Sequence, residues 1–84
     1  MNFIKSVTTS NNWELVYLLD NGEERLFDVK PYLKDEAFQE LNDISQFSKI
    51  NNGRYFVEWE CGADLCIDTL NAHSTLLKQA RLVA

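Results

Sequence analysis

Cys61, Cys66 and His73 lie within a single short stretch that also holds Glu58, Glu60, Asp64 and Asp68. These side chains are of the types that ligate metals, exchange disulfides and move protons. A structural zinc site needs closely paired cysteines and further Cys or His ligands. Here four residues separate the two cysteines, and the single histidine comes seven positions after the second. A set of Cys61, Cys66 and His73 with Asp64 as fourth ligand matches no regular ligand spacing. A redox pair needs a Cys-x-x-Cys arrangement or an electropositive setting, whereas these thiols sit among four carboxylates. Paired carboxylates can do acid–base work or hold Mg²⁺. Glu58 and Glu60 would share one strand face, but Asp64 suits a turn and Asp68 a helix cap, roles that need no chemistry. His73 has no nucleophile and acid to complete a catalytic set, and reads as a core or rim histidine bonded to a backbone carbonyl. The expectation is therefore no catalytic residue, no metal ligand, no cofactor and no enzymatic activity. The cysteines are expected to be incidental, half-buried thiols.

The elements that would position these residues follow from the apolar periodicity. Phe3 to Thr8 alternates weakly and reads as a strand. Trp13, Leu15, Tyr17 and Leu19 share one face of the next run, with Glu14, Val16 and Leu18 on the other. Asp20-Asn21-Gly22 is a hairpin turn, since Asn and Gly tolerate positive φ. Glu23 to Val29 returns as a third strand, with Arg25, Phe27 and Val29 on one face, until Pro31 ends it. Lys34 to Leu41 reads as a short helix carrying Ala37, Phe38 and Leu41 on one stripe. Ile44, Phe47 and Ile50 are spaced by three, which favours more helix, but Asn52-Gly53 demands strands on both sides. The resulting expectation is a helix to about Asp43, a turn, and a strand through Ile50. Arg54 to Glu60 then pairs back with Tyr55, Val57 and Trp59 facing inward and Phe56 outward. A final helix, capped by Asp68 or Thr69, would place Leu70, His73, Leu77 and Ala80 inward, widened by Leu76 and Val83. The predicted order is βββ-α-ββ-α. It specifies an α+β fold in which two helices pack on one face of an antiparallel sheet of about five strands.

The bulk properties narrow the function. The 84 residues amount to one domain, 1–84, with a small core, and self-association into a homodimer is a common remedy at this size. A net charge of −5 argues against direct binding of nucleic acid or an anionic membrane, both of which need clustered cations. No apolar run approaches a membrane span, and Met1-Asn2-Phe3-Ile4-Lys5 lacks the character of a signal peptide, so a cytoplasmic protein with reduced thiols is expected. No Gly-rich phosphate loop, Ser-His-Asp pattern or basic aromatic platform is present. The many aromatic residues should mostly be core, while those on an uncovered sheet face would form a partner surface.

Three segments carry a family likeness: Phe27-Asp28-Val29-Lys30-Pro31-Tyr32-Leu33; Phe38-Gln39-Glu40-Leu41-Asn42-Asp43 with Phe47; and Trp59 with Gly62-Ala63-Asp64-Leu65 and Asp68-Thr69-Leu70. In order and spacing the chain resembles the small bacterial domain family catalogued as domain of unknown function 2442. It departs from the usual pattern at Glu60-Cys61, where a proline-containing turn is common. The resemblance implies a compact α+β domain with no established activity. Family members stand alone or beside a helix-turn-helix domain, for which these 84 residues leave no room. Their genes often neighbour another small protein, which implies a two-component module similar to toxin–antitoxin pairs. The signature or interaction positions that it marks are Asp28, Pro31, Tyr32, Trp59, Gly62, Asp64 and Asp68. The function expected on these grounds is a non-enzymatic protein-interaction module, the antitoxin-like partner of a small basic protein. The alternative is a small ligand-sensing or regulatory domain with a pocket between sheet and helices.

Overall fold

The alternation in the first third of the chain builds the expected meander. In the computed structural model, which describes residues 2–78, β1 (Ile4–Thr9), β2 (Glu14–Leu19) and β3 (Glu24–Asp28) pair antiparallel in sequence order. Leu15, Tyr17 and Leu19 of β2 and Phe27 of β3 are buried on one face, as period-two patterning requires. Gly22 has φ +94° in the β2–β3 turn, the conformation that selected glycine there. Trp13 lies just before β2 in a left-handed conformation, φ +56°, and its indole N–H donates to the Leu41 carbonyl at 2.7 Å.

The fold is α+β, but its strands do not form one sheet of five. Seven strands among the described residues form two antiparallel sheets, ordered β1-β2-β3-β7 and β4-β5-β6. The reason lies in the connection after β3. Instead of the helix predicted from Lys34, the chain makes a 3-10 turn at Lys30–Tyr32, a 3-10 helix at Glu36–Asn42 and the short α1 (Ile44–Phe47). Phe38 and Leu41, three residues apart, fall on one side of the 3-10 helix, which has three residues per turn. Asn42 supports this tight winding, its amide donating to the carbonyls of Gln39 and Leu33. This run leads the chain away from the edge of β3 and lays Leu41 and Phe47 into the core.

The second sheet comprises β4 (Ile50–Asn52), β5 (Phe56–Trp59) and β6 (Asp64–Cys66). β6 was not expected. Gly62, at φ +100°, reverses the chain after Trp59, and the Trp59 N–H donates to the Ala63 carbonyl, so the turn continues into a third strand. α2 (Ile67–His73) starts directly from β6, with Cys66 rather than Asp68 or Thr69 at the cap position and Asp68 in the first turn.

The long final helix is a second correction. α2 ends at His73, and Thr75–Lys78 is β7, paired with β3. Ser74 explains the break. Its hydroxyl accepts from Arg25 Nε at 2.6 Å and lies 3.0 Å from the Tyr17 hydroxyl, whose own proton goes to Asn71 Oδ1, which ties the chain to the four-stranded sheet. His73 is thereby exposed rather than inward, and Leu76 and Leu77 are exposed as well. Ala80 and Val83 of the expected stripe lie outside the described residues.

One hydrophobic cluster joins the two sheets. It draws Ile4, Leu15, Tyr17, Leu19, Phe27 and Val29 from the first layer and Val57, Trp59, Ala63 and Leu65 from the second. Leu41, Phe47, Ile67 and Leu70 come from the connecting segments.

Candidate functional site

The outer face of the three-stranded sheet is one surface that the core leaves bare. β5 alternates strictly, with Val57 and Trp59 buried and Phe56 and Glu58 exposed. The register sets Glu58 between Asn51 of β4 and Asp64 of β6, and Phe56 opposite Cys66. Like charges directly opposite one another destabilise a sheet. Glu58 facing Asp64 is therefore an unfavourable pair for this chain alone.

The turn from Asn52 to Phe56 adds the apolar part. Tyr55 was expected inward with Val57 and Trp59, but it precedes β5 and is 48% exposed. Arg54 in front of it takes φ +73°, which breaks the alternation and turns Tyr55 out. Phe56 is 40% exposed, with its ring laid over Gly53 so closely that a Cβ at that position would collide with it. Tyr55, Phe56, Glu58 and Asp64 thus gather two aromatic rings and two carboxylates around one short sheet.

The seven signature positions are not brought together. Asp28 accepts the Lys30 N–H at 3.0 Å and pairs with the Lys30 ammonium at 3.1 Å, which starts the turn containing Pro31. The Tyr32 ring sits 5.4 Å from that of Phe27 and 5.8 Å from that of Phe38, half-buried over the core. Trp59 is buried, on the core side of β5. Gly62 forms the β5–β6 turn, Asp64 lies on the bare face and Asp68 on the exposed side of α2.

Cys61 and Cys66 are both free, one half-buried and one exposed. Among the described residues, no three of His, Cys, Asp and Glu converge as they would around a metal ion. The Thr69 hydroxyl, 3.3 Å from the Cys66 sulfur, and the Thr69 N–H hold this thiol below its ordinary range, while the Asp68 charge opposes them. This activation comes from hydrogen bonding at the start of α2. Neighbouring positive charge plays no part in it, so the charges around the cysteines in the sequence give no sign of it. Cys66 should therefore react with iodoacetamide before Cys61, because more of it is thiolate at neutral pH. The double variant Cys61→Ser, Cys66→Ser should still melt cooperatively, with a stability loss of about 1–2 kcal/mol from the half-buried position. Zinc bound stoichiometrically to the purified protein, and lost with the fold in the double variant, would overturn this expectation.

A hydrogen-bond network at the other end of the molecule is likewise not signalled by the sequence. The Tyr17 hydroxyl lies 2.8 Å from Asn71 Oδ1 and bonds Ser74, and Arg25 donates to both Ser74 and Glu23. No spacing rule joins residues so far apart in the chain. The only signals were a tyrosine and an arginine at inward-reading positions of β2 and β3.

A family model described as protein of unknown function (DUF2442) matches residues 4–75, most of the chain. No curated protein and no solved structure matches it.

Proposed function

The chain belongs to the DUF2442 family, and on that premise we propose that it is a non-enzymatic protein-interaction module, the antitoxin-like partner of a small basic protein. The observation that carries this reading is the bare face of the three-stranded sheet. Tyr55 and Phe56 are large exposed aromatic residues, the type that dominates interface hot spots. Beside them Glu58 and Asp64 repel each other across the ladder, and a cation from a partner would relieve that repulsion. The net charge of −5 favours encounter with a basic protein on the same grounds.

Co-expression with the product of the adjacent gene, followed by size exclusion, tests the pairing. Co-elution at low micromolar concentration is the expected result, and two separate peaks would sink the idea. Tyr55→Ala and Phe56→Ala should each weaken the complex by about 2 kcal/mol, roughly thirtyfold in Kd, as interface anchors do. Both side chains lie outside the core, so the melting temperature of the free chain should change little. Glu58→Gln should remove the repulsion with Asp64, leaving the free chain slightly more stable and the complex weaker. A thermal melt of the free chain reads the first effect and calorimetric titration the second.

A further inference from the structure

A groove of about 480 Å³ opens where the two sheets meet, lined by Phe3, Ile4, Lys5, Asn52 and Arg54. Two local irregularities of the backbone direct cations to it. The register of β1 against β2 slips between Ile4 and Ser6, so Lys5 is the extra residue of a β-bulge. Bulges re-aim a side chain. On the opposite wall Arg54 holds φ +73°, a left-handed conformation that a non-glycine residue adopts at a cost and that gathers at functional positions. Among the described residues neither cation forms an ion pair with a carboxylate. The Asp20 carboxylate accepts the Phe3 N–H at 2.8 Å and does not line the groove.

The walls are also fixed in advance. The Ile4 N–H donates to the Arg54 carbonyl at 2.7 Å. The Asn52 amide spans the joint, donating to the Ile4 carbonyl at 2.9 Å and accepting the Arg54 N–H at 2.8 Å. The Arg54 guanidinium rests over the Phe3 ring, 5.6 Å from its centroid. This contact orders the side chain and leaves its N–H groups free to donate in plane. An arginine and a lysine lining one groove, on walls tied by hydrogen bonds, suit a group carrying close to two negative charges and several acceptor oxygens. We propose that this groove is a binding site for the phosphate group of a small molecule.

The test is a titration of ¹⁵N-labelled protein with inorganic phosphate, run beside acetate at equal ionic strength so that screening is matched. Saturable shifts should gather at the amides of Phe3, Lys5, Asn52 and Arg54 with phosphate, and acetate should produce much weaker ones. Arg54→Gly and Lys5→Gln should each weaken phosphate binding on the order of tenfold, the loss of one charge-assisted contact. Glycine accepts the left-handed conformation at position 54, and Lys5 is exposed, so both variants should keep the fold. The site is refuted by the absence of a saturable shift, by shifts centred elsewhere, by equal response to acetate, or by unchanged affinity in both variants.

Discussion

Trp59→Ala should leave the protein largely unfolded at room temperature. Trp59 is 1% exposed at the end of β5, on its core side. Its ring stacks on Phe47 at 5.8 Å and meets Phe38 edge-on at 6.3 Å. Its indole N–H donates to the Phe47 carbonyl at 2.8 Å. Truncation therefore removes a large buried ring and also strips a buried carbonyl of its donor. The first effect costs about 3–5 kcal/mol, and the second adds about 1–3 kcal/mol. A domain this small is stable by only about 5 kcal/mol. Trp59→Phe should retain the stacking, lose the hydrogen bond and melt cooperatively at a lower temperature. Urea titration followed by circular dichroism measures both variants. A Trp59→Ala protein that melts within a few degrees of wild type would mean that this residue does not anchor the second sheet.

What the sequence made legible is local. The meander of β1 to β3 follows from alternation bounded by turns at Asn11-Asn12 and Asn21-Gly22; the β4–β5 hairpin is present too, but β4 begins at Ile50, where the expected strand ended, because Ile44–Phe47 is helical. The errors lie where a tertiary contact outweighs a local pattern. Leu70, His73 and Leu77 continue a helical stripe, yet Ser74 is held by Tyr17 and Arg25, and the chain leaves the helix to pair with β3. β6 is only three residues long, and its Gly62-Ala63-Asp64 lead-in reads as a turn before a helix cap. Ala37, Phe38 and Leu41 read as an α-helical stripe, yet the three-residue step from Phe38 to Leu41 also fits the 3-10 helix that forms at Glu36–Asn42. On the candidate face, Phe56 was legible as the outward residue of β5. Tyr55 was not, because the left-handed backbone of Arg54 interrupts the alternation.

The turn from Asn52 to Phe56 serves both proposed surfaces. Gly53 seats the Phe56 ring, Tyr55 points away from the core, and Arg54 turns toward the groove at β1. A single short loop thus contributes exposed aromatic rings to one proposed surface and a cation to the other. The two proposed surfaces should be separable by mutation, since Phe56 belongs to β5 and does not line the groove, whereas Lys5 lies on β1 in the other sheet. Arg54→Gly alone should affect both, because it also frees the backbone that presents Tyr55.

At the far end of the molecule, Tyr17→Ala should cost about 3–5 kcal/mol, as the loss of a fully buried aromatic does, and Tyr17→Phe about 1–2 kcal/mol. The ring is buried in the centre of the four-stranded sheet, and its hydroxyl reaches Asn71 and Ser74 on the segment that joins α2 to β7. Tyr17→Phe should therefore act mainly on that segment. Hydrogen exchange of the β7 amides should quicken, while the β1–β2 ladder keeps its protection. Burial raises the pKa of the Tyr17 phenol above its usual value, against the opposing effects of the Ser74 hydrogen bond and the Arg25 charge. Below about pH 10 the phenol is neutral in both folded and unfolded chains, and the full stability is present. Above that pH the unfolded chain ionises first, so stability falls as pH rises toward the folded pKa. Tyr17→Phe has no phenol at this position and should lose less stability over the same alkaline range. Equal alkaline loss in the two proteins, with unchanged exchange in β7, would show that this hydroxyl does not hold the end of the fold in place.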